Sequence, residues 1–149
     1  MLKRTLLVVA LLSGCGCPTL NPRTAVQLTF APDVTEEARG SFIAAGWMWN
    51  AAVGSSVGTE PAPQVVYVHT GDCEGSASQW RTDGTIAIAM DAFPTWGYAD
   101  RRAIAAHELG HMFGLQHHYG KVLMNHMVPV QDFTDDDLLQ FHALWDEGN

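Results

Sequence analysis

His107-Glu108-Leu109-Gly110-His111-Met112-Phe113-Gly114-Leu115-Gln116-His117 sets three imidazoles, a carboxylate and two glycines in eleven residues. The pattern is H-E-x-x-H-x-x-G-x-x-H. On an α-helix, residues i and i+4 lie one above the other, so His107 and His111 can reach one metal ion. Arg101 to Ala106 contain no helix breaker, and Asp100 is the expected N-cap. Gly114 can take a positive φ, end the helix and turn the chain so that His117 approaches the same ion. Three neutral imidazoles leave one position open, the arrangement of a catalytic zinc. Glu108 neighbours a ligand but points about 100° away from it. Its carboxylate is therefore placed to hold a proton. It would take one from a zinc-acidified water and pass it to a leaving amine.

These residues resemble the metzincin clan of zinc endopeptidases. In Val122-Leu123-Met124-Asn125, Met124 follows His117 at the distance of the clan's methionine turn. The resemblance makes it a hydrophobic floor under the ligands. Gly114-Leu115, Leu123 and the end of the chain are most similar to the matrixin branch. There, Thr134 and Asp137 form a capping-box start, and Leu138, Phe141 and Trp145 share one helix face. The resemblance implies an α+β domain with a small twisted mixed sheet, a back helix, the zinc helix, the Met-turn and a closing helix. It implies one catalytic Zn2+, a protein or peptide substrate, and a prime-side pocket walled by the zinc helix and residues 126–133.

The match is not complete. Matrixins usually carry proline two residues after the turn methionine, and other branches carry tyrosine. Here the residue is His126. By resemblance to the tyrosine branches it would sit near the metal or donate to an oxyanion; otherwise it is a surface loop histidine. No cysteine-switch propeptide is recognisable, and calcium or second-zinc ligand clusters are not evident.

The N-terminus reads as an export signal. Lys3 and Arg4 precede an apolar run, Thr5 to Leu12, too short to span a bilayer. Leu12-Ser13-Gly14-Cys15 resembles the bacterial lipobox, in which Cys15 becomes the lipidated N-terminal residue. A plain secretory signal is the other reading. The expected division is signal 1–14, tether 15–24 and catalytic domain 25–149. Lipid on Cys15 would hold the domain at a membrane, with outer-membrane or surface display open to it. It also leaves Cys17 and Cys73, either as a disulfide, which export permits, or as two free thiols.

Losing Lys3 and Arg4 takes the formal charge from −8 to −10. Without basic clusters, such a chain is not suited to nucleic acid, and a lipid rather than charge must anchor it. The length of 149 residues suits one domain with one core, expected as a monomer.

Upstream, 25–30 alternate as a strand. From Glu36 to Val53, Ala38, Phe42, Ala45, Trp49 and Val53 follow helical spacing, and Ile43 and Trp47 widen that apolar face. Residues 54–63 read as a loop. Val65-Val66-Tyr67-Val68 reads as a buried strand. Ser76–Trp80 reads as a short edge strand, to which the clan resemblance implies that extended substrate adds. Thr85–Met90 reads as a strand after the Asp83-Gly84 turn. His69 and His142 lack metal spacing and read as structural. His118 reads as exposed.

Overall fold

The structure is a computed structural model that describes residues 16–125 and 130–146. The elements run β1 (Val26–Phe30), α1 (Glu36–Val53), β2 (Val57–Gly58), β3 (Gln64–Thr70), β4 (Ser78–Trp80), β5 (Thr85–Ile88), a 3-10 turn (Phe93–Thr95), α2 (Tyr98–Met112) and α3 (Asp135–Trp145). This is an α+β chain with one mixed sheet in the order β2-β1-β3-β5-β4. β2, β1, β3 and β5 are parallel neighbours. Only β4 is antiparallel, paired to β5 with Gln79 opposite Ala87. The two-residue β2 lies inside the stretch expected as loop.

Caps account for the helix ends. Thr35 Oγ1 accepts from Ala38 N at 3.3 Å to open α1, and Gly54 closes it at φ 71°. Thr134 and Asp137 form the expected reciprocal capping box of α3. α2 starts earlier than expected. Gly97 is its N-cap and Asp100 lies in the first turn. There the Asp100 carboxylate accepts from Gln131 Nε2 at 3.0 Å.

One face of the sheet carries the core. Val26, Leu28, Val66, Val68, Ile86 and Ile88 pack under Phe42 and Trp49 of α1 and Leu109 of α2. Over β3 the opposite face is open, which corrects the reading of that strand as wholly buried: Val65 and Tyr67 are 55% and 44% exposed. The helices cover one side only, so alternate residues of this apolar run face outward. Trp47 is likewise exposed, at 65%. It lies two residues, about 200°, from Ala45 on the buried stripe, which is narrower than the sequence suggests.

Trp49 ties α1 to everything downstream. Its indole N–H donates to the Ala106 carbonyl at 2.9 Å, and its ring meets Phe113, Phe133 and Phe141. This places α2 between the sheet and the segment after Gly114.

The expected tether is not a free spacer over its described length. Asn21 N donates to Gln64 Oε1 and Gln64 Nε2 to Asn21 O. Leu20 N donates to Met112 O at 2.8 Å, and Arg23 bonds Trp145 O and Asp146 at the end of α3. Pro22 is buried. Short polar and proline-rich sequence looked like a linker, yet its backbone groups find partners on the domain. The signal segment and Cys15 lie outside the described residues.

Candidate metal centre

α2 holds His107 and His111 one turn apart, and Gly114 at φ 89° reverses the chain after it. Leu115 N donates to Gly110 O at 3.0 Å and closes the helix end. His117 then faces the other two. The three Nε2 atoms lie 3.1 Å (107–117), 3.0 Å (107–111) and 2.9 Å (111–117) apart. A tetrahedral zinc with Zn–N of ~2.0–2.1 Å spaces its nitrogens by about 3.3 Å, so the triangle is of the right size. This group of three could hold a metal ion.

The tautomers suit a metal as well. His107 Nδ1 lies 2.8 Å from Leu123 O, and His111 Nδ1 2.8 Å from Leu115 O. A carbonyl can only accept, so each Nδ1 carries the proton and each Nε2 presents its lone pair. Burial, reinforced for His107 by the His111 charge, pushes the imidazole pKa values down to about 3 for His107 and about 4 for His111. Both rings are thus neutral near pH 7, as ligands must be. His107 is buried, His111 half-buried and His117 exposed, so the cluster opens to solvent on one side.

Glu108 is buried beside the triad and is not among its ligand atoms. One oxygen accepts from Trp80 N at 2.7 Å. Burial pushes its carboxyl up to about 7, and the Trp80 N–H pulls in the opposite direction. A carboxyl in this range can accept and release a proton near neutrality.

Below the helix, Met124 is fully buried. A Cβ on Gly110 would come 2.5 Å from Met124 Sδ and 3.3 Å from Trp49 Cζ2. Gly110 therefore permits the close seating of Met124 between the turns that carry His107 and His111. Asp137 fixes the same turn from α3. Its Oδ2 accepts from Leu123 N and its Oδ1 from Met124 N, both at 3.0 Å. Oδ2 also accepts from Thr134 N at 2.9 Å. A continuous chain of bonds thus runs from Asp137 through the Leu123 peptide to His107.

Sequence reasoning placed His107, His111, His117, Glu108 and Met124, and the structure brings them together. It missed the Trp80 N–H, which no side-chain pattern reveals. It saw Asp137 only as a cap. Gly110 had a legible signal, a glycine inside a helix that gains nothing from it. His126 lies outside the described residues. His118 is half-buried rather than exposed, with its N–H donating to Met124 O at 2.9 Å.

The pairing of Cys17 with Cys73 is not made. Cys73 is a free, buried cysteine packed against Ala87 and Ala89, and its Sγ lies 3.6 Å from Gly71 O. Burial holds its thiol pKa above the usual value. Cys17 is disulfide-bonded, so neither a Cys17–Cys73 bridge nor a pair of free thiols is formed, and its Sγ lies 3.8 Å from Trp80 O on β4. His69 lies with its ring nitrogens near Thr85 Oγ1 and Thr70 O, away from the triad. His142 pairs with Asp146 on α3. No protein-family model and no curated protein matches this chain.

Proposed function

We propose that this chain is a zinc-dependent endopeptidase of metzincin type, closest to the matrixin branch. One observation carries the reading: a solvent-open cradle of three neutral imidazoles with a buried, unligating carboxyl beside it. A purely structural site needs neither the open side nor the carboxyl. Met124 seated under the helix and the antiparallel edge strand β4 beside Glu108 support the narrower assignment.

His107, His111 and His117 would hold the ion. When bound there, zinc supplies Lewis acidity that acidifies water and polarises a carbonyl. Glu108 accepts the proton released as water attacks the peptide carbonyl, and delivers it to the departing amine. The Trp80 N–H holds one oxygen of Glu108, which leaves the other for proton transfer. The carbonyls of Leu123 and Leu115 keep the two helix-borne imidazoles oriented throughout.

Glu108→Ala tests the reading. Cleavage of unfolded protein substrates should fall by at least about a thousandfold, while zinc content stays near one per chain. Zinc retained with cleavage unchanged would make the chain a metal-containing binding module. The export signal supports attachment of the protein to a bacterial membrane through lipid on Cys15. Intact-mass measurement of membrane fractions from wild type and Cys15→Ser checks this. Cys17 is disulfide-bonded and Cys73 is free, so lipid on Cys15 requires Cys17 to find its partner elsewhere in the mature protein; an unlipidated or disulfide-bonded Cys15 would sink the reading.

A further inference from the structure

β4 is the last strand of the sheet, so one of its edges is open. Arg81 N donates to Thr85 O and Ala89 N to Ala77 O across the β4–β5 pair. By antiparallel alternation, the main-chain groups of Ser78 and Trp80 point the other way, to the open edge. Such an edge accepts an extended peptide as an added strand. At Trp80 the N–H is already engaged, and the carbonyl is covered by the disulfide sulfur of Cys17 without a hydrogen bond from it. The N–H donates to Glu108, and the carbonyl oxygen faces Cys17 Sγ at 3.8 Å.

Cys17 belongs to a strap with several further contacts. The Trp80 indole N–H donates to Pro18 O at 3.1 Å. Thr19 lies so close to Gly114 that a Cβ there would meet Thr19 Cγ2 at 2.9 Å. Leu20 N donates to Met112 O at the end of α2. Residues 17–20 thus cross from the open edge of β4 to the end of the helix that carries Glu108.

We infer that the Cys17–Leu20 strap is an autoinhibitory cover: it closes the β4 edge at Trp80, and a peptide that pairs along that edge past Ser78 must displace it. The inference rests on the endopeptidase reading for its consequence, but not for its geometry. Activity on long substrates is restrained by the strap, whereas a short substrate that does not extend past Ser78 is unaffected.

Two substitutions in the full chain loosen the strap at different points. Leu20→Pro removes the N–H that bonds Met112 O. Trp80→Phe removes the indole N–H on Pro18 O and keeps the main-chain N–H on Glu108. Folding of each is verified by zinc content and near-UV circular dichroism, and either folded variant suffices. With a fluorogenic decapeptide, each should raise kcat/KM at least fivefold. With a fluorogenic tripeptide, Leu20→Pro should change it less than twofold. Equal changes on the two peptides for Leu20→Pro, or no gain on the decapeptide in either folded variant, would overturn the cover.

Cleavage is not the sole readout. Should zinc-loaded wild type cleave neither peptide, the endopeptidase reading fails. Fluorescence anisotropy of a labelled decapeptide on zinc-loaded Glu108→Gln then decides the strap by itself. Fivefold tighter binding on adding Leu20→Pro or Trp80→Phe supports the cover, and unchanged binding overturns it.

Discussion

Gly110 shows how far one missing methyl group shapes the centre. A helix interior favours alanine over glycine by about 0.8–1.0 kcal/mol, so Gly110→Ala would stabilise an isolated α2. Here the new Cβ would lie 2.5 Å from the sulfur of Met124, well short of a carbon–sulfur van der Waals contact. Met124 is fully buried and the same Cβ would meet Trp49 Cζ2 at 3.3 Å, so the addition requires core side chains to repack. Overpacking of this kind costs about 1–3 kcal/mol, which exceeds the helix gain. Gly110→Ala should therefore lower stability, seen as a lower thermal midpoint. Met124→Ala also destabilises, through a cavity. The two changes should offset each other in part, because the second makes room for the first. A double-mutant cycle should return at least about 0.5 kcal/mol of favourable coupling. Strict additivity would mean that the sulfur does not confine Gly110.

At the level of elements, α3 reaches the histidine triad through the Asp137 carboxylate. Asp137 caps its own helix and also receives the N–H groups of Leu123 and Met124. The Leu123 carbonyl in turn meets His107 Nδ1. The two duties can be separated. Thr134→Ala removes the hydroxyl cap and should cost about 1 kcal/mol of stability with little effect on metal. Asp137→Asn replaces an acceptor that serves the buried turn, and should lose about 1–3 kcal/mol. It should also weaken zinc binding by about 10–100-fold, as loss of outer partners of a ligand does. Competition against a chelator dye measures this. Equal zinc affinity in Thr134→Ala and Asp137→Asn would show that the carboxylate does not hold the turn for His107. The same residue illustrates what the sequence could tell. The T-x-x-D spacing is local, so the cap was legible. The second partner lies fourteen residues back across a turn, and no periodicity records it. The histidine triad was legible because helix geometry and one glycine translate spacing into position. β3 and Trp47 misled because apolar residues declare what is able to be buried, whereas the number of covering layers decides what is buried.

On the scale of the whole molecule, the docked strap changes the reach of the domain. A tether of ten extended residues would let the domain stand up to ~35 Å from its anchor. With residues from Cys17 onward seated on β4, α2 and α3, only two residue steps separate Cys17 from Cys15, about 7 Å at full extension. If Cys15 bears the lipid, as proposed, the β4 edge and Glu108 would sit close to the bilayer surface. A compact domain of this size has a radius of gyration of about 14 Å, so its own dimensions set its reach rather than the leash. Peptide bonds near the membrane would be cut, and those held well above it would not. Reconstitution on vesicles tests this with lipid-anchored substrates whose cleavable segment stands on spacers of increasing height. Cleavage should fall at least tenfold once the segment stands more than about 40 Å above the surface. Inserting twenty Gly/Ser residues between Gly16 and Cys17 adds a mean reach of about 25 Å. The insertion should restore cleavage at the greater height and leave the near site unchanged. A native chain that cuts near and distant sites at equal rates would show that the strap does not fix the domain to its anchor.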